Sequence, residues 1–143
     1  MKRKLLAILG FLALSLIVSS CFVEFDSMAN RQPPFTNQEG ELFTSSTPLR
    51  GTANGFGGPI TVTLVIMDGY IEFAVIDAPR ETPAYAGPAV IARAAEIMMS
   101  TNNVDVLDAI SGATFTATGI RQAAVRALNT EGLVPPHLAG FID

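Results

Sequence analysis

The strongest constraint on this chain is a run of alternating residues folded back about a two-residue turn. Ile60, Val62, Leu64 and Ile66 alternate with Thr61, Thr63, Val65 and Met67, which is the period of a β-strand, and β-branched side chains dominate the run. Asp68-Gly69 follows, a pair that tolerates positive φ at a tight hairpin turn. Tyr70 to Ile76 then returns, with Ile71, Phe73 and Val75 expected on one face and Tyr70, Glu72, Ala74 and Ile76 on the other. Such a hairpin commits the domain to an antiparallel sheet whose apolar face helices must cover.

Downstream the period changes. Asp77 to Gly87 holds two prolines among polar residues and is expected as a loop. Pro88 suits the first turn of a helix, and Val90, Ile91, Ala94, Ala95, Ile97 and Met98 recur at spacings of three and four until about Ser100, where Asn102 and Asn103 stop it. Val104 to Leu107 reads as a short strand and Asp108 to Thr116 as a loop. Ala117 to Asn129 reads as a second helix with Ile120, Ala124, Ala127 and Leu128 inward, ended by Gly132 and Pro135-Pro136. The expected order ββαβα is that of an α+β domain, a small antiparallel sheet with an opening hairpin and two packed helices.

The N-terminus is a separate matter. Met1 to Lys4 carries three positive charges, Leu5 to Val18 is almost wholly apolar, and Val18-Ser19-Ser20-Cys21 ends on small residues before a cysteine. This is the pattern of an export signal. Its apolar core of fourteen residues is short of the roughly 20 that a membrane-spanning helix needs, although the nineteen residues Leu5 to Val23 would serve as an uncleaved anchor. The last four residues resemble a bacterial lipobox, with Val18 where leucine is usual, and the resemblance implies that Cys21 is acylated and becomes the mature N-terminus. The alternative is that Cys21 is an incidental small apolar residue at the end of a signal or anchor helix. As the only cysteine it cannot form an intrachain disulfide. The expectation is therefore a signal peptide over residues 1–20 and an exported protein held by lipid on the extracytoplasmic side of a membrane. Residues 21–50 are expected as a flexible tether. Phe22 to Arg50 contains Pro33, Pro34, Pro48 and many Ser, Thr, Asn and Gln residues, and a flexible chain of that length reaches about 30 Å; part of it can still pack as an early strand or helix. The folded domain is expected over residues 51–143.

Charge removes several functions from consideration. Of nine basic residues, three lie in the leader, which leaves six arginines and no lysine against thirteen acids, a net charge of about minus seven. Nucleic acid is excluded as a partner because phosphate backbones need a basic footprint. The lone histidine, His137, has no cysteine beside it for a zinc site. Gly55-Phe56-Gly57-Gly58 precedes a strand, whereas a dinucleotide-binding turn follows one and opens a helix, and the P-loop lysine is absent. A Ser-His-Asp hydrolase finds no nucleophile-elbow pattern around Ser111.

The stretch with chemical content is Asp108-Ala109-Ile110-Ser111-Gly112-Ala113-Thr114-Phe115-Thr116, rich in hydroxyls and immediately before a helix. A helix start offers unpaired amide hydrogens and positive potential, so an anion is expected there. Thr116 or Thr118 could equally cap the helix, leaving a capped loop with nothing bound.

Asp108 to Thr114 resembles the Asp-x-x-Ser-Gly-Ala-Thr flavinylation motif of the FMN-binding domain family, found in the C subunit of sodium-pumping NADH:quinone oxidoreductase, the G subunit of Rnf-type complexes and many exported lipoproteins. Gly55-Phe56-Gly57-Gly58-Pro59-Ile60 is similar to the family's glycine-rich approach to its first strand. Glu81-Thr82-Pro83 is similar to its Glu-Thr-Pro-Gly loop, with Ala84 in place of the glycine. The resemblance spans Gly51 to about Leu128 and implies an FMN-binding domain. It further implies that an FAD:protein FMN transferase, using magnesium, links FMN through its phosphate to the Thr114 hydroxyl. Ser111 with the Gly112 and Ala113 amides would then donate to the phosphodiester, Thr116 would lie beside it, Asp108 would serve recognition by the transferase, and Glu81 and Thr82 would lie near the cofactor. The alternative for Asp108 is a turn or cap, and for Glu81 and Thr82 a solvated loop. Tyr85 and Phe115 could stack on the flavin ring, though Phe115 is expected in the core.

The function this implies is a membrane-tethered flavoprotein electron carrier, not itself an enzyme, exchanging electrons with membrane redox partners. The flavin takes one or two electrons, so the protein need only hold it, shade it and set its potential. Two alternatives stand beside it: an FMN-binding module serving a reductase of a small organic acceptor, and a cofactor-free surface lipoprotein that binds proteins.

Overall fold

Alternation and turn chemistry produce three strands, β1 (Leu49–Asn54), β2 (Pro59–Met67) and β3 (Tyr70–Asp77), in an antiparallel sheet of order β1-β2-β3. The computed structural model describes residues 31–81, 88–105 and 114–142. Two helices, α1 (Pro88–Thr101) and α2 (Thr114–Asn129), and a short 3₁₀ helix (Pro136–Phe141) complete the described elements. The architecture is the expected α+β arrangement of a small antiparallel sheet with helices packed on it. Among the described residues no helix is long and apolar enough to cross a membrane.

The hairpin forms as its sequence demands. Met67 pairs with Tyr70 across Asp68 and Gly69, whose φ values are 49° and 81°, the positive-φ pair that suits the twist of a two-residue hairpin. Along β2, Ile60, Val62, Leu64 and Ile66 are fully buried. The faces of β3 differ from simple alternation. Ile66 pairs with Ile71 but Val65 pairs with Phe73, so Glu72 is an extra residue in a β-bulge. One extra residue shifts the side-chain phase. Ala74 and Ile76 consequently turn toward the core with Ile71, whereas Phe73 and Val75 are exposed.

β1 was not expected as a strand; it begins in the last two residues of the expected tether, Leu49 and Arg50, and runs into the expected domain. Leu49, Gly51 and Ala53 face inward and pair with Leu64, Val62 and Ile60. Helix α2 lies directly over them: a Cβ at Gly51 would run into the Ala123 carbonyl oxygen and the Ala127 amide nitrogen. Small residues on both sides let helix and strand approach closely, and Ile120, Ala123, Ala124, Ala127 and Leu128 fill the contact. α1 packs on β3 through buried Ala94 and Met98. The helices therefore share one face of the sheet.

Residues 32–48 also depart from a flexible tether. They belong to the compact unit Gln32–Asp143 and wrap the hairpin turn, with Phe35 N–H donating to Gly69 O (2.8 Å) and Gly69 N–H to Phe43 O (2.8 Å). Phe35 and Phe43 pack against the core, which repays the ordering of a segment that composition alone marks as loose. The expected strand from Val104 to Leu107 is absent at Val104 and Asp105, and its other residues lie outside the described ones.

Helix ends follow sequence closely. Asn102 ends α1 at φ 53° and is buried; its Oδ1 accepts from Ile71 N–H (2.9 Å), and its Nδ2 donates to Pro33 O (3.0 Å) and Gly69 O (3.2 Å). One side chain thus joins α1, the hairpin turn and the N-terminal arm. Gly132, at φ 67°, closes α2 in a Schellman motif with Leu133 N–H on Leu128 O. Asn102→Ala strands the buried Ile71 N–H and is expected to lower unfolding free energy by about 1–3 kcal/mol in urea denaturation; Asn102→Gly, which accepts the positive φ, should cost less.

Candidate functional site

Three segments distant in sequence meet at one end of the sheet: the Gly55–Gly58 turn between β1 and β2, the residues after β3 up to Glu81, and the first turn of α2. The turn is closed by Gly55 N–H on Gly58 O (2.8 Å). It presses so closely on the segment that follows β3 that a Cβ at Gly57 would overlap the Arg80 carbonyl oxygen. Glycine there is a packing requirement, which is the reason for the glycine-rich pattern.

Glu81 is buried, at 8% exposure, and both its carboxylate oxygens are engaged within the protein. Oε1 accepts from Gly57 N–H (2.8 Å), and Oε2 accepts from the buried Thr116 hydroxyl. The solvated-loop alternative for Glu81 therefore does not describe it. A carboxylate accepts stronger hydrogen bonds than a neutral group, so this one holds the glycine turn against the helix start.

Helix α2 begins at Thr114, three residues before the expected start at Ala117. Thr114 is exposed, and its carbonyl accepts the Thr118 hydroxyl (2.9 Å). Thr116 donates to Glu81 and Thr118 to the preceding turn of its own helix, so neither fills the capping role that was the alternative for them. The earlier start also decides Phe115. Counting back from Ile120 and Ala124 at helical spacing reaches Thr116 and Ala117, both buried, and leaves Phe115 outside the apolar stripe. Phe115 is 72% exposed instead of core. It faces Phe56 of the glycine turn, itself 69% exposed, with ring centroids 6.3 Å apart and planes inclined by 43°. Phe56 was not foreseen as a site residue; its place between glycines of a family-like turn was the available signal.

Asp108, Ser111, Gly112, Ala113, Thr82 and Tyr85 lie outside the described residues. Asp105, at the near edge of the motif segment, pairs with Arg121 of α2 (3.1 Å), whose guanidinium also lies 4.0 Å over the Phe141 ring. Among the described residues no group of His, Cys, Asp and Glu could hold a metal ion.

The described residues suit a flavin nucleotide. Thr114 presents a hydroxyl at a helix start, where a phosphate charge is stabilised, and an exposed aromatic pair beside it offers a surface for a planar ring. Replacing Glu81 with alanine removes two hydrogen bonds to a charged acceptor. Glu81→Ala is expected to destabilise the flavin-free protein by about 2–4 kcal/mol in urea denaturation, at the roughly 1.5–3 kcal/mol typical of such bonds less what water recovers. Glu81→Gln, which keeps an oxygen for Gly57 N–H, should lose less.

The sequence model of the FMN-binding domain family matches residues 55–129, just over half of the chain. Searches of curated proteins and of solved structures return no match. The matched span opens at the glycine turn, closes at the last residue of α2, and contains Phe56, Glu81, Thr114, Phe115 and Thr116. Residues 55–129 are thus a flavin-binding module, and the chain belongs to the FMN-binding domain family.

Proposed function

We propose that this protein is a membrane-tethered electron carrier whose FMN is esterified through its phosphate to the Thr114 hydroxyl. The observation that carries the reading is Thr114 itself, an exposed hydroxyl at the first residue of α2 that completes the Asp108–Thr114 motif in a chain of the FMN-binding domain family. In the attachment, the Thr114 oxygen bonds to the FMN phosphorus of FAD, the phosphoanhydride bond breaks, AMP departs and the hydroxyl proton is released. An FAD:protein FMN transferase with magnesium supplies that step.

The residues around Thr114 have separate duties in this reading. The phosphodiester keeps one negative charge, which the start of α2 stabilises. Ser111 and the Gly112 and Ala113 amides donate to its oxygens, while Asp108 serves recognition by the transferase. Glu81 and Thr116 hold the glycine turn and helix start in place, and Thr82, the next residue in sequence after Glu81, is assigned to the cofactor by the family resemblance. Bound flavin supplies one- and two-electron transfer.

Export explains why the bond is covalent. Outside the cytoplasm a dissociable cofactor is lost by diffusion, whereas an ester keeps its local concentration independent of supply. Lipid on Cys21 holds the protein at the extracytoplasmic membrane surface, where membrane redox partners give and take electrons. The acidic surface left after removal of the leader favours partners with positive patches.

Coexpression of the export-competent chain with an FMN transferase should yield flavin fluorescence that stays with the denatured polypeptide, and Thr114→Ala should abolish it. Fluorescence retained in that variant, or a Thr114 peptide of unmodified mass in the wild type, would overturn the assignment. For the anchor, Cys21→Ser should remove incorporation of labelled fatty acid. A Cys21→Ser protein still membrane-bound at full precursor mass, together with an unlabelled wild type, would indicate an uncleaved anchor helix instead.

A further inference from the structure

We propose that Phe56 and Phe115 form the surface against which the isoalloxazine ring of bound FMN lies. The inference rests on the reading above for where the flavin is leashed and adds where its ring goes.

Large aromatic side chains left in water are unusual unless something covers them. Phe56 and Phe115 are 69% and 72% exposed, although they come from different elements and lean on one another at 6.3 Å. That separation falls within the roughly 4.5–7 Å at which aromatic rings attract. The remaining large exposed apolar side chains among the described residues sit elsewhere. Phe73 and Val75 belong to β3 on the sheet face away from the helices, and Met67 and Leu42 lie beside the hairpin turn. Among the described residues, only the Phe56–Phe115 pair of these exposed apolar side chains adjoins Thr114.

The pair is also held from beneath. Gly57, next to Phe56, and Thr116, next to Phe115, are hydrogen-bonded to the two oxygens of the same Glu81 carboxylate. One buried side chain therefore sets the spacing of both phenyl groups, which gives a preformed surface instead of two independently mobile rings. Phe115 follows Thr114 directly, so a flavin leashed by its ribityl phosphate to that hydroxyl has this surface within reach. At an inclination of 43° the two rings are neither stacked nor perpendicular. They make a shallow apolar corner that covers one side of a planar ring system and leaves the other side to an electron-transfer partner.

The test reads ring environment and covalent attachment separately. Visible circular dichroism and iodide quenching of flavin fluorescence are measured on the loaded, folded protein, and denaturation-resistant flavin is measured on the same samples. In the wild type, iodide should quench several-fold less than with free FMN, and the bound flavin should show an induced dichroic signal. Phe56→Ala lies far in sequence from the attachment motif and should load fully, yet lose the dichroic signal and approach the quenching of free FMN. Phe56→Tyr, which keeps the ring, should resemble the wild type. Full loading of Phe56→Ala with unchanged dichroism and quenching would overturn the proposal. Should no denaturation-resistant flavin form at all, the ester is wrong but the surface is still tested by titrating FMN into wild type and Phe56→Ala. Several-fold weaker binding by the variant then supports it, and equal affinity overturns it. Unfolding midpoints close to wild type in both variants exclude misfolding as the cause.

Discussion

The Glu81 carboxylate is buried between the glycine turn and the first turn of α2, and the geometry of that end of the domain depends on its two hydrogen bonds. Burying a carboxylate is costly unless strong donors replace water. Here a backbone amide and a hydroxyl from different elements do so, and the same bonds bring those elements together. The glycines are the counterpart of this arrangement, since a Cβ at Gly57 would hold the turn away from the segment after β3 that carries Glu81. Sites assembled from separate segments need such cross-links because a loop alone does not hold a ligand surface in place.

Beneath the site the framework is apolar and closely packed. α2 lies on β1 and β2 through alanines and glycine, and Ile60, Val62, Leu64 and Ile120 are withdrawn completely from water. At the opposite end of the hairpin the turn is enclosed by the arm from Gln32 and by Asn102. Sheet and helices thus form a rigid base at one end and present Thr114, Phe56 and Phe115 at the other. For a protein that binds a flavin, a stable framework that presents these exposed residues at one end is the useful division.

The parts that were legible in sequence are those set by local chemistry. The Asp68-Gly69 turn, the alternation of β2, the stripe of α1, the inward face of α2 and the stop at Gly132 all follow from turn conformations and periodicity. β1 was not legible because its inward residues, Leu49, Gly51 and Ala53, are mostly small, and they are small because α2 lies against them. A strand shaped by its neighbour carries little hydrophobic alternation. The faces of β3 were misread for a related reason, since the extra residue at Glu72 reverses the phase and nothing in Glu72 itself announces a bulge.

At the site the same division holds. Glu81, Thr114 and Thr116 were singled out because their residue types and motif context suggested a flavin nucleotide, and the family match carries the flavin. Amino-acid order alone therefore determined the strand and helix periods, the turns, the acidic balance and the motif that points to FMN, all properties of residues near one another in the chain. Only the tertiary structure decided that Glu81 is a buried strut, that Phe115 faces solvent, and that Phe56 joins it. Those facts depend on which distant backbones approach closely enough to share a hydrogen bond or exclude water, and no local pattern encodes that approach.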